Sequence, residues 1–171
     1  MMLMSKYLLD TNIYINFYDR YYRFDYFPSF WQKLQTMLNT HIVLPDIVVN
    51  ENYQDKSFED WLEEHFTGTY LKHKDYAEAW AEVIQHIANS GNYNEKALTN
   101  DKSWTREKIA DGWLVAIAKK ESLIIVTSET KNYNLNKNQP NQSPKIPDIA
   151  DDFGVRCIDM NTFFQEIGLQ I

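Results

Sequence analysis

The 171-residue chain is short of several residue types, and each shortage excludes a class of protein. Its single cysteine, Cys157, cannot form an internal disulfide, so nothing in the sequence points to an oxidising compartment. No apolar run reaches the roughly 18 residues that a membrane-spanning helix needs. The opening residues MMLMSKYLL are interrupted too early to form a signal peptide. We therefore expect a soluble, cytoplasmic protein without a membrane partner.

Common phosphate-binding and zinc-binding motifs are also missing. The sequence contains no G-x-G-x-x-G or G-x-x-x-x-G-K loop, which excludes the usual dinucleotide and nucleoside triphosphate sites. Its four histidines show no zinc-ligand spacing. The formal net charge of −7 has the wrong sign for a protein that coats nucleic acid through phosphate contacts. It does not exclude a nuclease, because a metal ion bound among carboxylates reverses the local field.

Short apolar runs rich in β-branched residues alternate with helical patterns, which is typical of parallel strands buried on both faces. The predicted strands are 7–9, 41–44, 123–126 and 155–158. The predicted helices are 27–39, the segment after Pro45, 57–66 with Ser57 as N-cap, 75–91, 105–121 and 158–168. Segments 92–104 and 131–145 read as loops. Because the chain has one domain's length and no linker, we expect a single α/β domain over residues 1–171.

Four acidic residues follow predicted strands or lie in the neighbouring helices: Asp10, Glu51, Asp111 and Glu129. In open α/β sheets ligands bind at the carboxyl ends of the strands, so these side chains have the opportunity to converge. Converging carboxylates repel one another unless a cation lies between them. Mg²⁺ and Mn²⁺ prefer such oxygen ligands. The four acids together therefore indicate a site for a divalent metal.

Each acid, taken singly, also has an ordinary structural explanation. Asp10 occupies a position typical of the N-cap of the following helix. Glu51 fits a solvated helix residue, and Glu129 fits a first-turn acid favoured by the helix dipole. Asp111 lies on a partly apolar helix face, which is less usual for a solvated acid. These alternatives stay open at the level of the sequence.

Three features together resemble the PIN-domain ribonucleases: the motif LLDTN, a proline-initiated helix that carries an acid, and IADGWLVAIAKKE running into LIIVTSE. The resemblance extends from Lys6 to the terminal helix. It implies a three-layer α/β/α sandwich with a central parallel sheet, and an endoribonuclease activity that needs Mg²⁺ or Mn²⁺. Many small bacterial members, the VapC-like proteins, are toxins of toxin–antitoxin pairs. The segment YYRFDYFPSFW resembles a less characterised bacterial branch of that family.

The resemblance also implies a role for each matching residue. The catalytic acids would be Asp10, Glu51, Asp111 and Glu129. Among them Asp10, Asp111 and Glu129 would hold the metal, while the remaining acid completes the cluster or helps to activate water. Glu129 stands where many members have aspartate, so its arm is one methylene longer. Asn12 and Thr127 would orient the carboxylates and water.

The partners implied by the resemblance are an RNA substrate and a small antitoxin protein, and a second copy of the chain is a further candidate. Two other interpretations stay open. One is a PIN-like scaffold with little activity that binds protein or RNA, and the other is a metal-dependent phosphatase on a different α/β fold. The aromatic residues at 14–31, interleaved with Arg20 and Arg23, either stack RNA bases or pack in the core or against a protein partner.

Overall fold

Three short parallel strands lie side by side in a computed structural model that describes residues 5–52 and 55–171. They are β1 (Tyr7–Leu9), β2 (Ile124–Val126) and β3 (Cys157–Ile158), with β2 in the centre. Leu8 lies opposite Ile125 in the register of β1 and β2. Both of these residues are fully buried, as expected for strands without polar alternation. The prediction of an α/β chain with a parallel sheet is therefore confirmed.

The segment 41–44, predicted as a strand, makes only a single parallel bridge beside β1. Tyr7 donates its N–H to the carbonyl of His41 at 2.8 Å, and Val43 donates to the carbonyl of Tyr7 at 2.9 Å. The pairing stops there because Pro45 has no N–H to donate and a helix begins at the next residue. The segment thus runs along the outer edge of β1 without forming a full strand.

Helices fill most of the chain between the strands. They are α1 (Thr11–Ile15), α2 (Pro28–Thr40), α3 (Asp46–Glu51), α4 (Lys56–His65), α5 (Ala77–Asn89), α6 (Lys96–Thr99), α7 (Ala110–Glu121), α8 (Ile146–Asp152) and α9 (Met160–Ile167). A π-helical segment, Asn16–Tyr21, extends α1, and a 3₁₀ turn, His73–Tyr76, precedes α5. No helix in the described residues is long and apolar enough to cross a membrane.

Two predicted helix starts are wrong. Helix α4 is capped by Asp55, whose side chain accepts the N–H of Phe58 at 2.8 Å, and not by Ser57. Helix α7 begins at Ala110 and not at residue 105. The hydroxyl of Thr105 instead donates to the carbonyl of Leu98 at 2.9 Å, which holds this segment against the loop around α6. Helices α6 and α8 were not predicted, because each is at most two turns long.

Helix α7 lies at the centre of the core. Its residues from Gly112 to Ala118 are all buried, and it packs against α5, α8 and β2. Trp80 of α5 stacks on Trp113 with ring centroids 4.8 Å apart. A Cβ at Gly112 would lie only 3.3 Å from Trp80 Nε1, so the glycine permits this close approach. The burial of α7 on all sides fixes the position of its first turn, which carries Asp111.

Most of the aromatic residues between 14 and 31 pack in the core. The buried ones include Tyr14, Phe17, Phe30 and Trp31. Tyr22 stacks on Phe30 with ring centroids 4.1 Å apart. Tyr21 and Tyr26 are exposed. Core packing therefore explains most of the aromatic residues in this segment. The exposed rings are the ones that remain accessible to an RNA base or a protein partner.

Candidate active site

Asp10 and Thr127 lie next to each other where β1 and β2 end. Asp10 donates its N–H to the carbonyl of Val126 at 2.9 Å, and Thr127 donates to the carbonyl of Ile158 at 3.0 Å. The strand ladder therefore continues one residue past the strands, and parallel pairing brings both side chains to the same edge. The Thr127 hydroxyl donates to Asp10 Oδ2 at 2.9 Å, and both residues are buried. The structure thus brings together two of the residues predicted for the site.

The carboxyl group of Asp10 does not cap the helix that follows it. Asp10 occupies the N-cap position of α1, but its side chain makes no capping hydrogen bond. Only 4% of the residue is exposed. Burial raises the pKa of Asp10 to about 6, against the opposing effect of the Thr127 hydrogen bond, and the charges of Glu129 and Glu51 raise it further. The N-cap position therefore explains the backbone conformation of Asp10, but it does not explain why the carboxyl group is buried.

Asp111 lies in the first turn of α7, and its carboxylate accepts no hydrogen bond from any other described residue. Burial raises the pKa of Asp111 well above its usual range. The charges of Asp10, Glu129 and Glu51 raise it further, in that order. Carboxylates from three other segments of the chain thus act electrostatically on Asp111.

Glu51 and Glu129 each cap a helix in another part of the chain. Glu51 Oε1 accepts the N–H of Ala110 at 2.8 Å, at the start of α7. Glu129 Oε2 accepts the N–H of Ile146 at 2.7 Å, at the start of α8. The first N–H groups of a helix lack partners within the helix, and the helix dipole favours a negative charge there. These two acids therefore combine a structural role with a place in the acidic cluster.

The Glu51 carboxyl group is more enclosed than the residue as a whole. The residue is exposed on one side, but the protein atoms around its carboxyl group desolvate it, and this burial raises the pKa of Glu51. The hydrogen bond from the Ala110 N–H opposes the rise, and so does the Thr11 hydroxyl, which lies near the carboxyl group without meeting hydrogen-bond geometry. Glu51 is therefore neither the solvated helix residue of the ordinary explanation nor a fully buried acid.

Thr11 was missed by the sequence reasoning, and it takes the place expected of Asn12. Asn12 is exposed and its side chain makes no hydrogen bond to the described residues. Thr11 is 5% exposed, and its Oγ1 is buried without a hydrogen-bond partner in the described part of the chain. A buried hydroxyl beside Asp10 and Glu51 is suited to bind a water or another ligand. Its signal in the sequence is the position directly after the strand-ending acid.

Asn16 and Ser128 were also missed. Asn16 is 5% exposed and donates from Nδ2 to Ser128 Oγ at 3.1 Å. The Thr127 hydroxyl, which binds Asp10, also accepts the N–H of Glu129 at 3.1 Å. These bonds hold the turn that carries Glu129 against the first helix. A single amide in the apolar run IYINFY was the available signal for Asn16.

A buried histidine connects the two helices that carry Glu51 and Asp111. His73 Nδ1 lies 2.8 Å from an oxygen of Asp46, the first residue of α3. Its Nε2 lies 3.0 Å from an oxygen of Glu107, which precedes α7. The ring is therefore held at both ends, and it fixes the spacing of the two helices at the acidic site.

Two cavities open on either side of Glu129. The larger one, about 540 Å³, includes Thr127, Tyr133 and Arg156 in its lining. The smaller one, about 170 Å³, includes Asp111 in its lining. Because Glu129 lines both, the acidic cluster borders two openings.

The donor set fits a hard divalent cation in its chemistry. As the side chains are placed, no three histidine, cysteine, aspartate or glutamate residues in ranges 5–52 and 55–171 form a set that would hold a metal ion. The four acids supply only oxygen donors, and each has at least one oxygen that accepts no hydrogen bond from the described residues. With the unpartnered Thr11 hydroxyl beside them, these groups are of the kind that Mg²⁺ or Mn²⁺ and its water ligands require.

A family model described as "Domain of unknown function (DUF4411)" matches residues 7–171. The chain belongs to the DUF4411 family. The match includes all four acids, so the candidate site lies within the part of the chain that defines the DUF4411 family. No curated protein and no solved structure matches the chain significantly. The DUF4411 family carries no assigned activity, and the resemblance to PIN-domain ribonucleases stays a prediction from the sequence.

Proposed function

We propose that this chain is a metal-dependent endoribonuclease with a PIN-like, three-layer α/β/α fold. The observation that supports it best is the field at Asp111, where the charges of Asp10, Glu51 and Glu129 all raise the pKa of one carboxyl group. Such repulsion destabilises a folded protein unless a cation relieves it. Sites of this composition serve phosphoryl chemistry, which makes RNA hydrolysis the function that fits best.

Asp10, Asp111 and Glu129 would hold the ion through the oxygens that accept no hydrogen bond. When bound, Mg²⁺ or Mn²⁺ polarises a phosphoryl oxygen and promotes ionisation of the attacking water. Thr127 holds Asp10 in place through the 2.9 Å hydrogen bond to Oδ2. The same hydroxyl accepts the Glu129 N–H, so one side chain orients two of the three ligands.

Glu51 would accept the proton of the attacking water. One of its oxygens is held by the N–H of Ala110, so the other has a defined direction. The raised pKa of the Glu51 carboxyl makes it a better proton acceptor than an ordinary glutamate. The adjacent Thr11 hydroxyl has no protein partner in the described residues and is available to orient that water.

The test is cleavage of an unstructured RNA by the purified protein with Mn²⁺, comparing wild type, Asp111→Asn and Glu129→Gln. Because charge stabilisation by a metal contributes several kcal/mol, Asp111→Asn should lower the rate by at least about a hundredfold. RNA binding should be retained better than cleavage over several salt concentrations, because some contacts lie outside the cluster. The matched control is Asp25→Asn, an exposed aspartate without an ion pair in the described residues, which should cleave like wild type.

Two results would reject the proposal. Equal rates for wild type and Asp111→Asn would identify a contaminating nuclease, and a module that binds RNA or protein would then be the better interpretation. Cleavage of a DNA of the same sequence with the RNA left intact would reject the ribonuclease assignment. Circular dichroism of each variant shows whether a lost rate comes from a lost fold.

A further inference from the structure

An RNA strand needs positive charge next to the acidic cluster, and the chain as a whole has a formal net charge of −7. The smaller cavity beside Glu129 supplies it. Lys102 and Lys145 line this cavity together with Asp111 and Glu129. Two lysine residues thus line the same opening as two of the acids.

Both lysines are available to a ligand. Each is exposed, and neither forms an ion pair or a side-chain hydrogen bond within residues 5–52 and 55–171. The cations of the larger cavity differ in this respect. Lys131 lies 3.1 Å from Asp151, and Arg156 is bound through both terminal nitrogens to a glutamate carboxylate. The smaller cavity therefore fits an anion better than the larger one does.

The walls of the smaller cavity are held in place by hydrogen bonds between two loops. Asn94 donates its N–H to the carbonyl of Asn141 at 2.9 Å, and Asn100 Nδ2 donates to the carbonyl of Gln142 at 3.3 Å. Lys145 directly precedes Ile146, whose N–H is bound by Glu129 at 2.7 Å. The backbone of Lys145 is thereby tied to the acidic cluster itself, so only its side chain must be ordered when a ligand binds.

We propose that Lys102 and Lys145 bind a phosphate of the RNA substrate, adjacent in the strand to the phosphate that is cleaved. We call this cavity the phosphate pocket. Its volume of about 170 Å³ is below the range of about 300 Å³ and more that is usual for small-molecule sites, so it accommodates a phosphate and part of a sugar but not a whole nucleotide. The proposal rests on the proposed ribonuclease function and specifies how its substrate is positioned.

The experiment compares the double variant Lys102→Gln, Lys145→Gln with a matched control, Lys33→Gln, Lys119→Gln. The control lysines are exposed, do not line the phosphate pocket and form no ion pair within the described residues. Cleavage of the unstructured RNA with Mn²⁺ gives kcat and KM. Fluorescence anisotropy of a labelled RNA gives its affinity at several salt concentrations, with Asp111→Asn added to every variant to prevent cleavage.

In the phosphate-pocket variant, KM should rise by about tenfold with kcat nearly unchanged, because uniform binding is lost. The slope of log affinity against log salt should become shallower by about 0.7 for each lost phosphate contact. The control pair should behave like wild type. Arginine at both positions should restore the affinity, because arginine also binds phosphate.

Three results would overturn the phosphate pocket alone: no change in KM, an equal loss in the control pair, or a fall in kcat at constant KM. In each of these cases RNA cleavage that depends on Asp111 would leave the proposed function standing. A wild-type protein that neither binds nor cleaves RNA would overturn both proposals.

Discussion

Replacing Asp10 with asparagine should stabilise the protein in the absence of metal. The pKa of this carboxyl group is about 6 in the folded state, against 3.8 for an unperturbed aspartate. Between these values the folded protein binds more protons than the unfolded chain, so stability falls as the pH rises through this window. The buried charge of Asp10 therefore does not destabilise the protein below about pH 3.8, and it destabilises the protein fully above about pH 6. The substitution removes this destabilising effect.

The size of the effect follows from the shift. About two pKa units at 1.36 kcal/mol each give roughly 3 kcal/mol of destabilisation by Asp10 above pH 6. At about pH 5 roughly half of that remains, because the folded-state carboxyl is then mostly protonated. Asparagine still offers an oxygen to the Thr127 hydroxyl, so that hydrogen bond need not be lost. The gain should therefore be larger at pH 8 than at pH 5.

The assay is urea unfolding with a chelator present at the two pH values, for wild type, Asp10→Asn and Asp25→Asn. Of the two variants, only Asp10→Asn should gain stability over wild type, and that gain should be larger at pH 8 than at pH 5. Millimolar Mn²⁺ should stabilise wild type more than Asp10→Asn, because the ion relieves the repulsion that the substitution has already removed. A loss of stability at pH 8, or an equal gain at both pH values, would refute the reasoning.

Three further predictions concern single side chains. Thr127→Val should destabilise the protein by about 1–3 kcal/mol in urea unfolding, because a buried Asp10 oxygen loses its donor, whereas Thr127→Ser should stay close to wild type. Burial raises the pKa of the Cys157 thiol to about 12, so its alkylation near pH 8 should be more than about a hundredfold slower than that of a free thiol, and rapid labelling would contradict its placement. If the protein is a VapC-like toxin, its expression without an antitoxin should slow growth and Asp10→Ala should relieve the effect; equal growth at matched protein levels would exclude that role.

The sheet and one edge of the site were predictable from local sequence. The runs that became β1 and β2 are short, apolar and followed at once by Asp10 and Thr127, and parallel strands bring such positions together. Strand pairing alone thus accounts for the contact between these two residues.

The remaining geometry depends on contacts that local sequence does not encode. The start of α7 was predicted five residues early, because side chains of the preceding loop bind backbone groups near α6 and hold that segment out of the helix. Glu51 and Glu129 bind helix starts that lie 59 and 17 residues away in the chain. Thr11 and Asn12 are adjacent in sequence, yet Thr11 is buried and Asn12 is exposed because of the direction in which α1 leaves the sheet. No periodicity distinguishes these outcomes.

The helix-capping role of Glu51 and Glu129 has a consequence for relatives of this chain. A family member that has lost catalysis would still need both glutamates to start the helices equivalent to α7 and α8, so selection for folding alone would retain them. Asp10 and Asp111 have side chains that satisfy no such requirement, and the repulsion between them is relieved when either becomes neutral. Across the family, the two aspartates should therefore report which members have kept their activity, and the two glutamates should not.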